Sequence, residues 1–216
     1  MINATQKPWR PLAAPALNWQ EDVPAAANAG DIYFSTENGL AESNYVFLEG
    51  NELRDRWCTV GVEQPFVIGE VGFGTGLNAC LTLAEWLKDR PEGGSLHYIA
   101  IDHAPLSPAD AKRALSRWPE LAPILTTLLE RWPDPIPGCH RRHFSEWGVT
   151  LDFWWGDAAA VLTDLASHGK SWVDAWYLDG FAPSREQGPW RQSVYDAMAA
   201  LSQSGSTFAI FTAAGA

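Results

Sequence analysis

The stretch Pro65-Phe-Val-Ile-Gly-Glu70-Val-Gly72-Phe-Gly74-Thr-Gly76, continuing into Leu77-Asn-Ala-Cys80-Leu-Thr-Leu-Ala84-Glu-Trp-Leu87, decides the fold. An unbroken apolar run enters a glycine-rich turn. Beyond the turn, Leu77, Cys80, Leu81, Ala84 and Leu87 recur at helical spacing, so the segment predicts a buried strand, a tight turn and a helix. The same unit repeats outward along the chain. Residues 95–102 (SLHYIAID), 149–157 (VTLDFWWGD), 173–183 (VDAWYLDGFAP) and 206–212 (STFAIFT) read as strands. Residues 108–116, 121–131, 157–167 and 191–202 read as helices, with the breaker run WPDPIPG at 132–138. Strands alternating with helices of about ten residues imply an α/β fold, a mostly parallel sheet with helices on both faces. The first 30 residues read as an irregular lead-in, and 31–51 as a hairpin around a glycine-containing turn. The expected organisation is an N-terminal extension with that hairpin over 1–60, packed on a core over 61–216.

The 216 residues are 46% hydrophobic and 19% charged, enough for one domain that needs no disulfide or structural metal. Cys58, Cys80 and Cys139 form no CxxC pair, and the five histidines show no metal-ligand spacing. No run of 18 apolar residues and no leader pattern occurs, so a cytoplasmic protein without membrane spans is expected. The net charge of −11 argues against a general grip on nucleic acid. Residues 103–145 nevertheless carry six basic and four acidic groups. Arg141 and Arg142 in this stretch are either a solvated helical face or an anchor for phosphates.

Glycines at 72, 74 and 76 let backbone approach a ligand closely and expose N–H groups at a helix start. A dinucleotide fingerprint GxGxxG would need glycine where Leu77 stands. Glu70 before the turn would repel a pyrophosphate but attract the ammonium of an amino-acid moiety, which favours S-adenosylmethionine over a nicotinamide cofactor. Asp102 ends the second strand, where an acid can hold ribose hydroxyls, or cap a turn. Gly156 and Asp157 follow the third strand; Asp157 is either a helix N-cap or an acceptor for an adenine amino group. Asp179 ends the fourth strand and is the candidate catalytic residue, able to orient an amine nucleophile and take its proton. Its alternative role is to steady the turn before Gly180. Tyr33, Tyr45, Phe181 and Trp190 are candidate ring surfaces for a base or a sulfonium, whereas Trp86, Trp154 and Trp172 read as packing. The residues also admit an amine methyltransferase or aminopropyl transferase acting on a small molecule, or a non-catalytic cofactor-binding domain.

Longer motifs narrow this. DIYFSTENGLAESNYVFLEGNELRDRW (31–57), EVGFGTGLN (70–78), SRWPELAP (116–123), RWPDPIPGCHR (131–141), VTLDFWWGD and VDAWYLDGFAP together resemble the methyltransferase domain of the bacterial bifunctional tRNA 5-methylaminomethyl-2-thiouridine biosynthesis proteins. The resemblance implies a Rossmann-like class I methyltransferase that moves a methyl group from S-adenosylmethionine to the amine of 5-aminomethyl-2-thiouridine at the tRNA wobble position. It places Glu70, the glycines, Asp102, Gly156 and Asp157 around the cofactor, with Tyr33 or Asn44 closing the pocket. Asp179 then falls beside the amine, and Phe181, Trp190, Arg141 and Arg142 on the substrate side. It also implies an FAD-dependent oxidoreductase domain, fused or separate, that supplies the amine. Two departures stand out: Ser184-Arg-Glu-Gln-Gly-Pro-Trp190 replaces the family's usual Lys-Asn-Pro-Asp-Met-Trp, and the chain stops at FTAAGA, where further C-terminal strands are expected.

Overall fold

A computed structural model describes residues 10–27, 30–59, 61–181 and 188–211. The core is a six-stranded sheet built from β4 (Phe66–Val71), β5 (Leu96–Asp102), β6 (Gly138–Phe144), β7 (Val149–Trp155), β8 (Val173–Asp179) and β9 (Ser202–Phe211), in the order β6-β7-β5-β4-β8-β9. All neighbours are parallel except the edge pair β6–β7. Alternate residues of each strand feed two apolar layers. Ile68, Tyr98, Ala100, Leu151, Phe153, Ala175 and Tyr177 face α3 (Leu77–Asp89), α4 (Pro108–Leu115) and α5 (Ala122–Glu130). Val67, Val71, Ile99, Ile101, Trp176 and Leu178 face α6 (Ala158–Ser167) and α7 (Gln192–Leu201). The central strands are mostly apolar because both of their faces are covered.

The lead-in is more ordered than its composition suggests. β1 (Leu17–Gln20) and β2 (Val23–Ala26) form a hairpin, joined by β3 (Asp31–Ile32) in a small antiparallel sheet. Its two turn residues, Glu21 and Asp22, have φ of 47° and 66°. A two-residue hairpin turn demands this left-handed geometry, and its usual Asn-Gly or Asp-Gly signal is missing here. The expected hairpin at 31–51 is instead helical after β3: α1 (Gly39–Ser43), a π-helical turn over Asn44–Glu49, and α2 (Leu53–Trp57). The buried positions 39, 43, 47, 51 and 57 carry the helical period. Two of them, Ser43 and Asn51, are polar, so hydropathy alone hides the pattern. Asn51 is buried because its amide donates to the carbonyls of Phe47 (3.0 Å) and Trp176 (3.3 Å).

β6 also escapes sequence reading. Gly-Cys-His-Arg-Arg-His-Phe has no apolar alternation because it lies at an exposed sheet edge, where charged side chains deter pairing with other chains. The basic stretch 103–145 has a structural use as well. Arg113 stacks over Trp19 at 4.1 Å and its Nε donates to Asp22 at 2.8 Å, while Arg117 donates to the carbonyl of Thr36 at 3.0 Å. Together they clamp the N-terminal extension to the core.

The chain leaves β4 toward β5 and β7, then returns to place β8 and β9 on the other side, so connections diverge between β4 and β8. Ligands bind at the carboxyl ends of strands at such a point. There Gly72 has φ +94°, and a Cβ on it would lie 1.6 Å from the carbonyl oxygen of Asp179. Gly72→Ala is therefore expected to lower stability by at least about 2 kcal/mol, read as a reduced urea midpoint with a similar m-value; an unchanged midpoint would contradict this packing.

Candidate active site

A cavity of about 970 Å³ opens above β4 and β8, at the upper end of the range for small-ligand sites. Residues 72–75 line it from the glycine turn, 102–104 from the end of β5, 156–158 from the end of β7, and 179–181 with 188–189 from the end of β8. The N-terminal extension adds residues 13–16 and 31–37, a contribution that no single motif announces.

The acids differ in what they do. Asp102 accepts hydrogen bonds from the backbone N–H of Gly74 and of Ala104, both at 2.8 Å. It therefore braces the glycine turn while lining the cavity. Asp157 caps α6 by accepting from Ala160 N–H at 3.0 Å and pairs with Arg191; it too lines the cavity. For both acids the structural role is realised, and each carboxylate still has lone pairs for a ligand.

Glu70 departs from expectation. It is fully buried and is absent from the cavity lining. Oε1 accepts from Asn78 Nδ2 at 2.9 Å and Oε2 from Tyr98 OH at 2.9 Å. Burial pushes its carboxyl well above the ordinary range, outweighing these hydrogen bonds, and the nearby Asp179 adds to the rise. The same Asn78 amide donates its second N–H to Asp179 Oδ2 at 2.6 Å, and Asn78 Oδ1 accepts from the Ser43 hydroxyl. Asp179 lines the cavity. Burial pushes its carboxyl up to about 7, against the lowering effect of Asn78. Asn78 and Ser43 are the functional residues that motif reading passes over. Their one signal is position: Asn78 and Thr82, four residues apart, are the polar residues among the otherwise apolar buried positions of α3.

Tyr33 and Phe181 line the cavity and meet edge to face at 5.1 Å. Gly156 lies at the end of β7, its N–H donating to the carbonyl of Asp102 at 2.8 Å. Gly74 lines the cavity directly, and Gly76 starts α3 with φ 83°. Other expected site residues lie elsewhere. Asn44 is turned to Glu49 (2.7 Å) and Arg54 (2.6 Å), and Tyr45 is 71% exposed on its helical turn. Trp190 supports the site from outside by donating to the Phe181 carbonyl at 2.7 Å. Arg141 and Arg142 lie on β6, neither of them lining the cavity, and adjacent strand residues point to opposite faces. Arg141 grips Asp152 through two 2.7 Å hydrogen bonds, and Arg142 donates to the carbonyl of Arg131 at 2.8 Å. They do not form one patch. Most of Ser184-Trp190 falls outside the described residues. Among the described residues no His, Cys, Asp and Glu cluster could hold a metal, and no helix is long and apolar enough to cross a membrane.

A sheet of this order, with a glycine turn after its first core strand and acids after the next three, is the architecture of class I methyltransferases, and residues 119–216 match the S-adenosyl-L-methionine-dependent methyltransferase family. The structure of MnmC2 from Aquifex aeolicus shares the fold with a TM-score of 0.70 over 91% of this chain and 59% of that one, at 18% identity. More particularly, the chain is homologous to the tRNA 5-methylaminomethyl-2-thiouridine biosynthesis bifunctional proteins MnmC. It is 43% identical over 203 residues to that of Aeromonas salmonicida, covering 92% of this chain. It is 44% identical over 205 residues to that of Methylobacillus flagellatus, covering 95%. The chain spans about 30% of the length of these relatives.

Two pH responses follow. The folded Asp179 carboxyl titrates near 7 against an ordinary 3.8, so the folded state holds an extra proton between those values and stability falls as pH rises through that window. Relative to Asp179→Asn, the wild type is expected to lose stability from about pH 4 to pH 7, measured by urea unfolding; a flat difference would contradict the burial. Asp152 behaves oppositely. Burial alone would raise it, but Arg141 and His97 hold it down to about 2, so its contribution is present above the ordinary value and is lost as pH falls toward 2. Arg141→Ala should move acid unfolding to higher pH and leave ligand binding at the cavity unchanged.

Proposed function

We propose that the chain transfers a methyl group from S-adenosylmethionine to the amine of 5-aminomethyl-2-thiouridine in tRNA. The observation that carries this reading is the charge of the cavity. Its lining holds Asp31, Glu37, Glu42, Asp102, Asp157 and Asp179, with no lysine or arginine among the described residues. Such a lining suits a cofactor bearing a sulfonium and an ammonium, together with an amine acceptor, and disfavours phosphates. The methyl group arrives on a sulfonium and is already activated, so the protein's main task is alignment.

The residues present fit that cofactor. The turn at 72–76 would let the backbone approach the cofactor closely, Asp102 would accept from its ribose hydroxyls and Asp157 from its adenine amino group. Tyr33 and Phe181, both lining the cavity, would offer ring surfaces to the sulfonium. When bound, S-adenosylmethionine would supply the methyl group, its C–S bond breaking with the electrons to sulfur as the amine lone pair forms the N–C bond. The resulting ammonium gives a proton to Asp179, whose near-neutral titration suits an acceptor. Glu70, fully buried, has no part in cofactor contact in this reading. The relatives' names support tRNA as the substrate and a second activity, here an FAD-dependent oxidoreductase that supplies the amine.

A small-molecule amine acceptor is the second reading, favoured by the absence of Arg141 and Arg142 from the cavity. Labelled methyl transfer decides between them. Incorporation into tRNA carrying 5-aminomethyl-2-thiouridine is expected, and methylation of free polyamines in its place would support the rival. Asp179→Ala should keep cofactor binding by calorimetry and lose about 10²- to 10⁴-fold in turnover; undiminished turnover would overturn its role.

A further inference from the structure

Two carboxyls, the fully buried Glu70 and the half-buried Asp179, lie side by side at the carboxyl ends of β4 and β8, joined through the single amide of Asn78. A buried carboxylate without a cationic partner is costly, and two that share one donor cannot both ionise cheaply. The titratable groups in the same region are Tyr98 and Asp102 on β5, Tyr177 on β8 and Cys80 on α3. None is a cation. Arg54 on α2 acts on Tyr177, and its own contacts go to Glu85 and Asn44. α1 and α3 contribute the neutral Ser43, Asn78 and Thr82 to the hydrogen-bond network, while Glu42 on α1 and His103 after β5 line the same cavity as Asp179.

The asymmetry between the two acids decides which keeps the proton. Glu70 is fully buried and does not reach the cavity, and the cost of an ion there outweighs the two hydrogen bonds from Asn78 and Tyr98 that would favour its charged form. Asp179 lines the cavity, and among the described residues only its Oδ2 receives a hydrogen bond. Asn78 itself cannot rotate freely, because its oxygen accepts from Ser43 while both amide hydrogens are in use. An Asn with every group satisfied is a fixed clamp.

We infer that Asn78 is a positioning residue and Glu70 a neutral anchor for it. The amide, oriented by Ser43 and by a protonated Glu70, holds Asp179 by Oδ2 so that Asp179 ionises and offers Oδ1 to the amine. The direction of the shifts agrees, with Glu70 displaced far upward and Asp179 only to about 7. This rests on the reading of Asp179 as the group beside the transferred methyl. It reassigns the acid of the glycine motif from the cofactor to the clamp.

The test uses the pH profile of kcat together with S-adenosylmethionine affinity by calorimetry. Asn78→Ala removes the hydrogen bond that stabilises the Asp179 anion, so the acid limb should move to higher pH by about one unit, with activity recovering on the alkaline plateau and affinity within about twofold of wild type. An unmoved limb, or the same fractional loss at every pH, would overturn the proposal. Glu70→Gln copies the neutral acid and should leave both limb and affinity nearly unchanged. A tenfold loss of affinity in Glu70→Gln would instead make Glu70 an anionic cofactor ligand and sink the proposal even if Asn78→Ala does not fold. Wild-type protein that binds no S-adenosylmethionine would overturn the underlying functional reading, an outcome read before any variant is made.

Discussion

The backbone at Gly72 presses against the carbonyl of Asp179, with no room for even a methyl group between them. This contact joins the carboxyl ends of β4 and β8, the two strands between which the chain reverses its direction of travel across the sheet. It obliges residue 72 to be glycine with a left-handed φ, and so produces the sharp turn from which α3 departs. It also brings the acid at the end of β8 within reach of Asn78 on the first turn of α3. The cavity, the paired acids and the glycine turn all follow from how closely these two strand ends approach.

Electrostatics then separates carboxylates that look alike in the chain. Asp102 and Asp157 sit at turn or helix starts and accept backbone N–H groups, and Asp157 also pairs with Arg191. Glu70 and Asp179 have only neutral donors in a buried setting, and both are displaced upward. Asp152, at the other end of the sheet, is buried too, yet two hydrogen bonds from Arg141 and one from His97 reverse the effect of burial. Carboxyls that look alike in the chain thus differ by their partners: with neutral donors alone Glu70 and Asp179 are raised, and with cationic Arg141 beside it Asp152 is lowered.

The N-terminal extension is held mainly by burial of Val23, Phe34, Phe47, Leu48, Leu53 and Trp57 in the main apolar core, to which the Arg113–Trp19 contact and the hydrogen bonds of Arg113 and Arg117 add. Because residues 31–37 line the cavity, the clamp made by Arg113 and Arg117 belongs to the architecture of the site. The basic stretch that charge counting singles out is largely occupied with this internal work and with β6.

The central strands and the helices α3, α4, α5, α6 and α7 were legible because their burial is continuous or strictly periodic, and apolar side chains report that directly. The glycine turn and Asp102, Asp157 and Asp179 were legible because a strand end before a helix is a fixed place in an α/β chain. Three features were not: the helical run through 39–57, whose buried positions include Ser43 and Asn51; β6, whose polar residues belong to an exposed edge; and the β1–β2 turn, whose Glu-Asp pair adopts left-handed geometry. In each, polar residues occupy places that the hydrophobic pattern assigns to others. Sequence by itself determined the layered α/β architecture, since that depends on local periodicity, while the longer motifs carried the resemblance to a methyltransferase family. Only the tertiary structure decided that Glu70 turns inward to Asn78 and that Asn44, Arg141 and Arg142 stand away from the cavity. Burial and hydrogen-bond partnership are properties of neighbours distant in the chain.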